Sequence, residues 1–380
     1  MNPPPHPRAG HPVSRREFLE LCTLGGAAML ARRGRAADGP PERKLGVALV
    51  GLGGYSTGQL GPALRETRFC RLAGVVTGSP EKGRSWARDH GFPEKNVYGY
   101  GNMARLADNP DIDIVYVVTP NALHAEYAIA AARAGKHVIC EKPMACTVAE
   151  CDAILAACAR AKVRLSIGYR LHFDPYHGEL RRLVRTREFG AFSRMNGGFA
   201  FRMRTAQWRA TKALAGGGPL MDLGVYVIQE CCMATAAAPV AVTARERPKQ
   251  RPEFFRDVEE GIDWTLEFAD GARGEGYTSY NDGRNDFRAE AAGGWFELRP
   301  AYGYRNLRGV TSRGALNFEP PVNQQARQLD DFAQCILTGR ASPVRRSTIS
   351  GRLPEKSTNA FSPARCTCRM VGASLRAKRR

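Results

Sequence analysis

The stretch LGVALVGLGGYS, residues 45–56, constrains this chain more than any other. An uninterrupted apolar run enters a glycine-rich turn, and a helical pattern follows through about Arg65. The same rhythm then recurs. Apolar runs at 71–77, 113–119, 136–140 and 164–168 are separated by helical patterns at Pro80–His90, Leu123–Ala134 and Val148–Ala161. Strands with no polar alternation are buried on both faces. Separated by helices of this length, they build a parallel sheet covered on each side. The predicted fold class is α/β: a doubly wound Rossmann sheet over residues 45–168.

Beyond residue 168 the rhythm changes. Pro175–Thr186 reads as a helix. Residues 193–201, 240–246, 261–271, 272–280 and 293–300 then read as strands joined by tight turns, and a last helix spans Asn323–Leu337. This predicts a second, α+β domain over residues 169–344 with a large open, mainly antiparallel sheet.

The chemistry is expected at the C-terminal edge of the first sheet, where such folds bind ligands. Gly51 permits the tight turn and Gly53 lets a pyrophosphate approach the backbone, with Ser56 small enough for helix to pack on strand. The second strand ends in Thr77-Gly78-Ser79. No carboxylate stands there to repel a 2′-phosphate, and Ser79 and Lys82 are suited to binding one, which favours NADP over NAD. Thr119, Asn121 and His124 follow another strand end; His124 reads either as a ligand contact or as local packing.

Glu141-Lys142-Pro143 leaves the strand KHVIC at the same edge. A charged pair there is costly unless it is used, and Pro143 suits a cis bond. A lysine beside a nicotinamide can bond a substrate hydroxyl and stabilise developing alkoxide. In AGGGPLMDLGVY, Asp222 and Tyr226 stand four apart, so a helix would place carboxylate and phenol on one face. With Lys142 they make an acid–base trio. Tyr169, Arg170, His172, Trp208 and Arg209 are candidates for sugar or cofactor contacts.

Net charge is +19, but residues 1–45 carry +4 of it and residues 345–380 carry +9. The basic excess lies in the two ends rather than on one face, which argues against a nucleic-acid partner. The eleven cysteines include no CxxC pair and no metal-ligand spacing. They read as small buried hydrophobes, folded in a reducing compartment. No metal site is expected.

Residues 1–37 read as a twin-arginine signal: Ser14-Arg15-Arg16 with Phe18 and Leu19, then a weak apolar stretch from Leu21 to Ala31. That stretch is too short for a membrane span. The expectation is export to the periplasm, or otherwise out of the cytoplasm, by the twin-arginine machinery. Residues 38–44 form a short arm. Residues 345–380 are Arg-, Ser-, Thr- and Cys-rich without apolar periodicity. They read as a disordered basic tail or, by preference, as the product of a changed reading frame.

These motifs in this order (GLGGY, AGKHVICEKPMA, IGYRLHFDP, AQWR, AGGGPLMDLGVY, NQQARQLDDFA) resemble the Gfo/Idh/MocA oxidoreductase family, and within it the glucose–fructose oxidoreductase type. The resemblance implies that Lys142 and Tyr226 are catalytic and that Asp222 binds substrate. It places Gly51, Gly53, Tyr55, Ser79, Lys82, Tyr98 and Arg209 at NADP-binding positions. Thr119, Asn121, His124, Glu141, Lys142, Arg170 and Trp208 are expected around the same cofactor. It further implies tightly bound NADP and a ping-pong cycle, with hydride taken from a glucose-like C1 and returned to a fructose-like ketose. Sugars are then the small-molecule partners, and the second sheet joins a homo-oligomer, dimer or tetramer. Two other activities fit the same motifs: an exported NAD(P)-dependent glycosidase, and a sugar dehydrogenase with exchangeable NADP.

Overall fold

The computed structural model describes residues 43–341; the signal segment, most of the arm and the basic tail lie outside them. The first domain is built on a six-stranded sheet. Its elements are β1 (Leu45–Val50), a π-helical turn (Ser56–Leu60) running into α1 (Gly61–Glu66), β2 (Cys70–Val76), α2 (Pro80–His90), β3 (Val97–Tyr98), β4 (Ile114–Val117), α3 (His124–Arg133), β5 (His137–Cys140), α4 (Val148–Arg160) and β6 (Leu165–Ile167). The strand order is β3-β2-β1-β4-β5-β6, with every pairing parallel. The order reverses between β1 and β4, which opens a crevice at their C-terminal ends. All six residues of β1 are buried, as its unbroken apolar run requires. Local signals set the helix ends. The Ser79 hydroxyl accepts from Lys82 N to start α2, and Gly91 closes it at φ +71°.

The second domain begins with α5 (Pro175–Thr186) and β7 (Phe192–Ala200). A short α6 (Lys212–Ala215) and a π-helical turn (Leu220–Gly224) lead into α7 (Val225–Thr235). The remaining strands are β8 (Pro239–Glu246), β9 (Gly261–Phe268), β10 (Arg273–Ser279), β11 (Arg284–Ala291), β12 (Gly294–Leu298), β13 (Gly309–Thr311) and β14 (Gly314–Leu316). They form one eight-stranded sheet, antiparallel except where β7 and β10 run parallel. The buried α7 packs on one face of this sheet through Val227 and Cys231.

The short strands β3, β13 and β14 carry no signal in the sequence, and two larger features also depart from the sequence reading. Strand β11, RNDFRAEA, escapes it because charged residues crowd the segment and leave Phe287 and Ala289 as its buried positions. The last helix, α8 (Gln324–Thr338), falls by sequence order in the second domain but packs on the first. Its Leu329, Phe332 and Ala333 share a core with Val47 and Leu49 of β1. Asp330 on the same helix accepts from the backbone N–H groups of Arg68 and Phe69. The sequence shows α8 to be amphipathic, but not which surface its apolar face meets.

Seven of the eight cysteines among the described residues are buried. Among the described residues no helix is long and apolar enough to cross a membrane.

Helices α5 and α7 are joined by a buried ionic cluster. His177, 1% exposed, lies 3.3 Å from Asp174 and 3.4 Å from Glu230. Burial alone would lower its pKa. The flanking carboxylates of Glu230 and Asp174 outweigh burial and raise it to about 9. A folded-state pKa raised above histidine's ordinary 6.5 means stability fully present below that pH and lost as pH rises through about 9. Urea-denaturation midpoints should therefore fall from pH 6.5 to pH 9, and His177→Gln should flatten that fall. An equal fall in the variant would refute the linkage.

Candidate active site

The site is assembled at the crevice between β1 and β4. Gly51 has φ +96°, and a Cβ there would lie 2.8 Å from the Val118 carbonyl, so the turn requires glycine. Ser56 is buried and its hydroxyl donates to Gly51 O at 2.6 Å, pinning the helix start to the turn. Gly53 and Gly54 meet nothing within 4 Å of a would-be Cβ, which leaves open space over the turn. Beside Gly51 lies Thr119, whose buried hydroxyl has no hydrogen-bond partner among the described residues. Lys82 spans from α2 to donate its ammonium to the Leu52 carbonyl. An open glycine turn, an unsatisfied hydroxyl and a lysine at the rim fit a dinucleotide with its phosphates on this turn.

The β5 exit carries the charged residues. Glu141 is buried; its Oε1 accepts from the Tyr116 hydroxyl at 2.6 Å and its Oε2 from Lys142 N at 3.1 Å. Burial raises its pKa against those bonds. Gly168 is required beneath it, since a Cβ there would fall on the carboxylate. The Lys142–Pro143 bond is cis.

From this turn Lys142 reaches into the second domain. Its Nζ donates to Asp222 O at 2.7 Å and to Asp222 Oδ1 at 3.2 Å. The other oxygen, Oδ2, accepts from Arg209 Nε and from the Tyr280 hydroxyl, each at 3.0 Å. Burial opposes ionisation of Asp222, but Lys142 and Arg209 hold it below the usual carboxylate range. Burial would likewise lower the Lys142 pKa, yet the facing Tyr226 phenol, Asp222 and Glu141 leave it raised. The Tyr226 ring centroid is 4.8 Å from Lys142 Nζ.

Asp222 lies in a π-helical turn and Tyr226 in the first turn of α7, so the pair is not on one regular α-helix. Both still converge on Lys142. The Glu259 carboxylate fixes that turn by accepting from Gly218 N at 3.0 Å and Leu220 N at 3.1 Å. Gly218 has no room for a Cβ against the Glu259 backbone.

Six expected contacts make bonds or packing contacts within the protein. His124 is fully buried between the carbonyls of Pro143, 2.7 Å, and Thr119, 2.9 Å, with burial lowering its pKa to about 4. It ties two loops of the site together and has no free edge for a ligand. Tyr98 is a core residue whose hydroxyl accepts from Asn109. Arg209, stacked on Trp208 at 4.4 Å, belongs with Trp208 to the Asp222 cluster rather than to the glycine turn. Arg170 is 2% exposed and packs under Tyr226 and Tyr304. Asn121 reaches across the domains, donating to Ala215 O at 2.9 Å.

The sequence reading missed Tyr304 and three glutamines. Tyr304, 42% exposed, stands 5.9 Å from the Tyr55 ring over the Arg170 guanidinium. Gln324, Gln325 and Gln328 of α8 bond respectively to Arg170 and Asp174, to the Tyr55 hydroxyl, and to the Tyr116 hydroxyl. Polar residues on an amphipathic helix ordinarily read as a solvent face. Only the unusual QQxxQ cluster at a helix start could have signalled otherwise.

Comparison with known proteins agrees with this architecture. Residues 45–169 match the model of an oxidoreductase family with an NAD-binding Rossmann fold, GFO/IDH/MocA. Residues 177–294 match the GFO/IDH/MocA C-terminal domain. The NADP-dependent D-xylose 1-dehydrogenase of Haloarcula marismortui is 28% identical over 307 residues, covering 77% of this chain and 83% of that one. A second such enzyme, from Haloferax volcanii, is 26% identical over 78% of this chain and 91% of its own length. The crystal structure of the aldose-aldose oxidoreductase from Caulobacter crescentus, complexed with glycerol, superposes with a TM-score of 0.81 at 39% identity. That match spans 89% of this chain and 98% of the other. With both halves of its fold and its charged crevice accounted for, the chain belongs to the GFO/IDH/MocA oxidoreductase family.

Proposed function

We propose that this protein oxidises an aldose at C1 and passes the hydride on to a second sugar through an NADP that stays bound. The observation that carries this reading is the Lys142 ammonium, held by Asp222 beside the Tyr226 ring at the ligand edge of the first sheet. When bound, the nicotinamide supplies the hydride acceptor and, in the return half-cycle, the donor. The chain supplies the rest. Lys142 donates to the reacting sugar oxygen and stabilises its negative charge, and Tyr226 takes the hydroxyl proton in oxidation and returns it in reduction. Asp222 holds Lys142 in place and leaves it charged. The 39% identical aldose-aldose oxidoreductase supports an aldose substrate.

Retention of the nucleotide follows from the proposed export. A twin-arginine route carries folded proteins, so a bound cofactor can travel inside; outside there is no NADP pool to replace it. The burial of most of its described cysteines suits a chain folded before it meets an oxidising space. The outer face of the eight-stranded sheet, where Arg245, Asp263, Glu275 and Arg284 line a cleft, is the proposed surface for a second copy.

A dehydrogenase that releases NADPH is the second reading, supported by the two xylose dehydrogenases. Absorbance near 340 nm separates the two. A tightly held cofactor should be reduced stoichiometrically by an aldose alone and reoxidised by a second sugar, with the nucleotide surviving gel filtration. Continuous NADPH formation from one aldose and added NADP would establish the dehydrogenase instead. In either case Lys142→Ala should lower kcat by on the order of 10³-fold and leave the bound nucleotide in place. Near-normal turnover in that variant would overturn the assignment.

NADP preference is proposed to rest on Lys82, at the rim of the glycine turn. Lys82→Ala should cut discrimination for NADP over NAD by roughly 10- to 100-fold, the worth of one charge-assisted phosphate contact. Titration of the nucleotide-free protein with both cofactors measures it, and unchanged discrimination would place the 2′-phosphate elsewhere.

A further inference from the structure

We propose that Tyr304 is the residue on which the sugar ring stacks, an aromatic wall that selects a pyranose over an open-chain polyol. This rests on the reading of the crevice as a sugar site.

Tyr304 belongs to the loop between β12 and β13, and that loop is held firmly from beneath. Asn285 Oδ1 accepts from Ala301 N at 2.9 Å and from Tyr302 N at 2.7 Å. Arg170 donates to the carbonyls of the two residues before Tyr304, to Tyr302 O at 2.6 Å and to Gly303 O at 2.9 Å. Tyr302 itself is buried and packs on Phe199 and Tyr226. At Gly303 a Cβ would lie 2.7 Å from the Arg305 carbonyl, so the tight turn has no room for a side chain. A fixed backbone therefore presents Tyr304.

The ring it presents is left open. No other aromatic side chain among the described residues is as exposed as Tyr304, at 42%. An aromatic ring ordered by its backbone and left in water forgoes the gain of burial, which a ligand face would recover. Its position says which ligand. The Arg170 guanidinium carbon lies 4.4 Å from the Tyr304 ring centroid and 5.1 Å from that of Tyr226, so the two rings share one cation. Partial burial and the Tyr226 phenol raise the Tyr304 pKa against the pull of Arg170 and Lys142, which leaves Tyr304 a neutral phenol within the field of the reacting groups. Tyr55, 5.9 Å away ring to ring, follows directly on the glycine turn. Of this pair Tyr55 stands on the cofactor side and Tyr304 on the sugar side.

A pyranose carries its hydroxyls around the rim and its C–H groups on the faces. Those faces are apolar and pack on an aromatic ring, whose phenol tip stays among polar groups. With Lys142 and Tyr226 at the reacting C1 oxygen, the body of the sugar ring falls to Tyr304. An open-chain polyol has the same hydroxyls but no such face.

The test measures binding of 1,5-anhydro-D-glucitol, a pyranose without the C1 hydroxyl, and of D-glucitol, an open-chain polyol, by calorimetry. In the NADPH-loaded protein neither alcohol can accept a hydride, so binding is read without turnover. Tyr304→Ala should weaken anhydroglucitol about 10-fold and glucitol less than about 2-fold, and Tyr304→Phe should recover most of the loss. With an aldose as substrate, Tyr304→Ala should raise KM about 10-fold, several times more than it lowers kcat. Equal weakening of the two ligands, or no binding of anhydroglucitol to the parent, would overturn the proposal. So would a loss of NADP affinity in nucleotide-free Tyr304→Ala, which would show that the ring covers the cofactor. If Tyr304→Ala does not fold, Tyr304→Leu removes the aromatic face, keeps most of the bulk and carries the same test. A parent that binds anhydroglucitol but oxidises no aldose would instead refute the functional reading, while the ratio of the two ligands still judges Tyr304.

Discussion

The ion pair between Lys142 and Asp222 is the interaction on which the rest of the molecule depends. It joins the end of β5 to the π-turn before α7, and so joins the two sheets. Both partners are largely removed from water, at 12% and 14% side-chain exposure. Breaking such a pair by removing one partner costs about 3–5 kcal/mol, mostly because the other charge is left unmatched. That cost makes the local order of the neighbours intelligible. The Glu141 carboxylate, the cis Lys142–Pro143 bond and the buried His124 aim the lysine from one side. Glu259, Tyr280 and Arg209 hold the aspartate from the other. A hydrophobic pair of the same volume would pack at least as stably. The pair is therefore better explained by what a fixed, charged ammonium can do at the edge of a nucleotide-binding sheet than by stability.

Helix α8 closes the arrangement from behind. Three glutamines in its first two turns reach the support of the glycine turn (Tyr55), the support of Glu141 (Tyr116) and the support of Tyr226 (Arg170). Glutamine suits these positions for a physical reason. Its amide offers donor and acceptor together, so it satisfies a buried hydroxyl or guanidinium without adding a charge that would itself need a counter-ion. The same helix is anchored to the first domain by Leu329, Phe332 and Asp330. The site is thus fixed by the last described helix as much as by the strands that lead into its charged groups.

The strands of the first sheet were legible because burial on both faces removes polar alternation; 45–50, 70–76 and 137–140 announce themselves. Lys142, Asp222 and Tyr226 were legible because charge and glycine cluster at strand and helix ends. The fate of long polar side chains was not. Arg170 reads as a ligand contact, and His124 as a ligand contact or as local packing, since a charged or titratable group near a strand tip is normally paid for by function. Both are buried, with every strong contact made inside the protein. Tyr304 escaped because it sits in an irregular loop, where no period tells which way a side chain points.

These misreadings share a cause. Sequence pattern reports the environment of apolar groups well, because hydrophobic burial is non-directional and repeats with the backbone period. It reports polar burial poorly, because a buried polar group needs a particular partner, and that partner is usually remote in sequence. Arg170 meets Gln324 across 154 residues, and Tyr116 meets Gln328 across 212. Each partner is unremarkable on its own: a glutamine at a helix start, or a tyrosine inside an apolar strand. The pairing turns them into supports for Tyr226 and Glu141, and it exists only once α8 has crossed back to the first sheet. Such a site is therefore sensitive to where the last helix docks as well as to its reactive residues. Displacing α8 would leave Lys142, Asp222 and Tyr226 in the chain while releasing Tyr55, Tyr116 and Arg170 together.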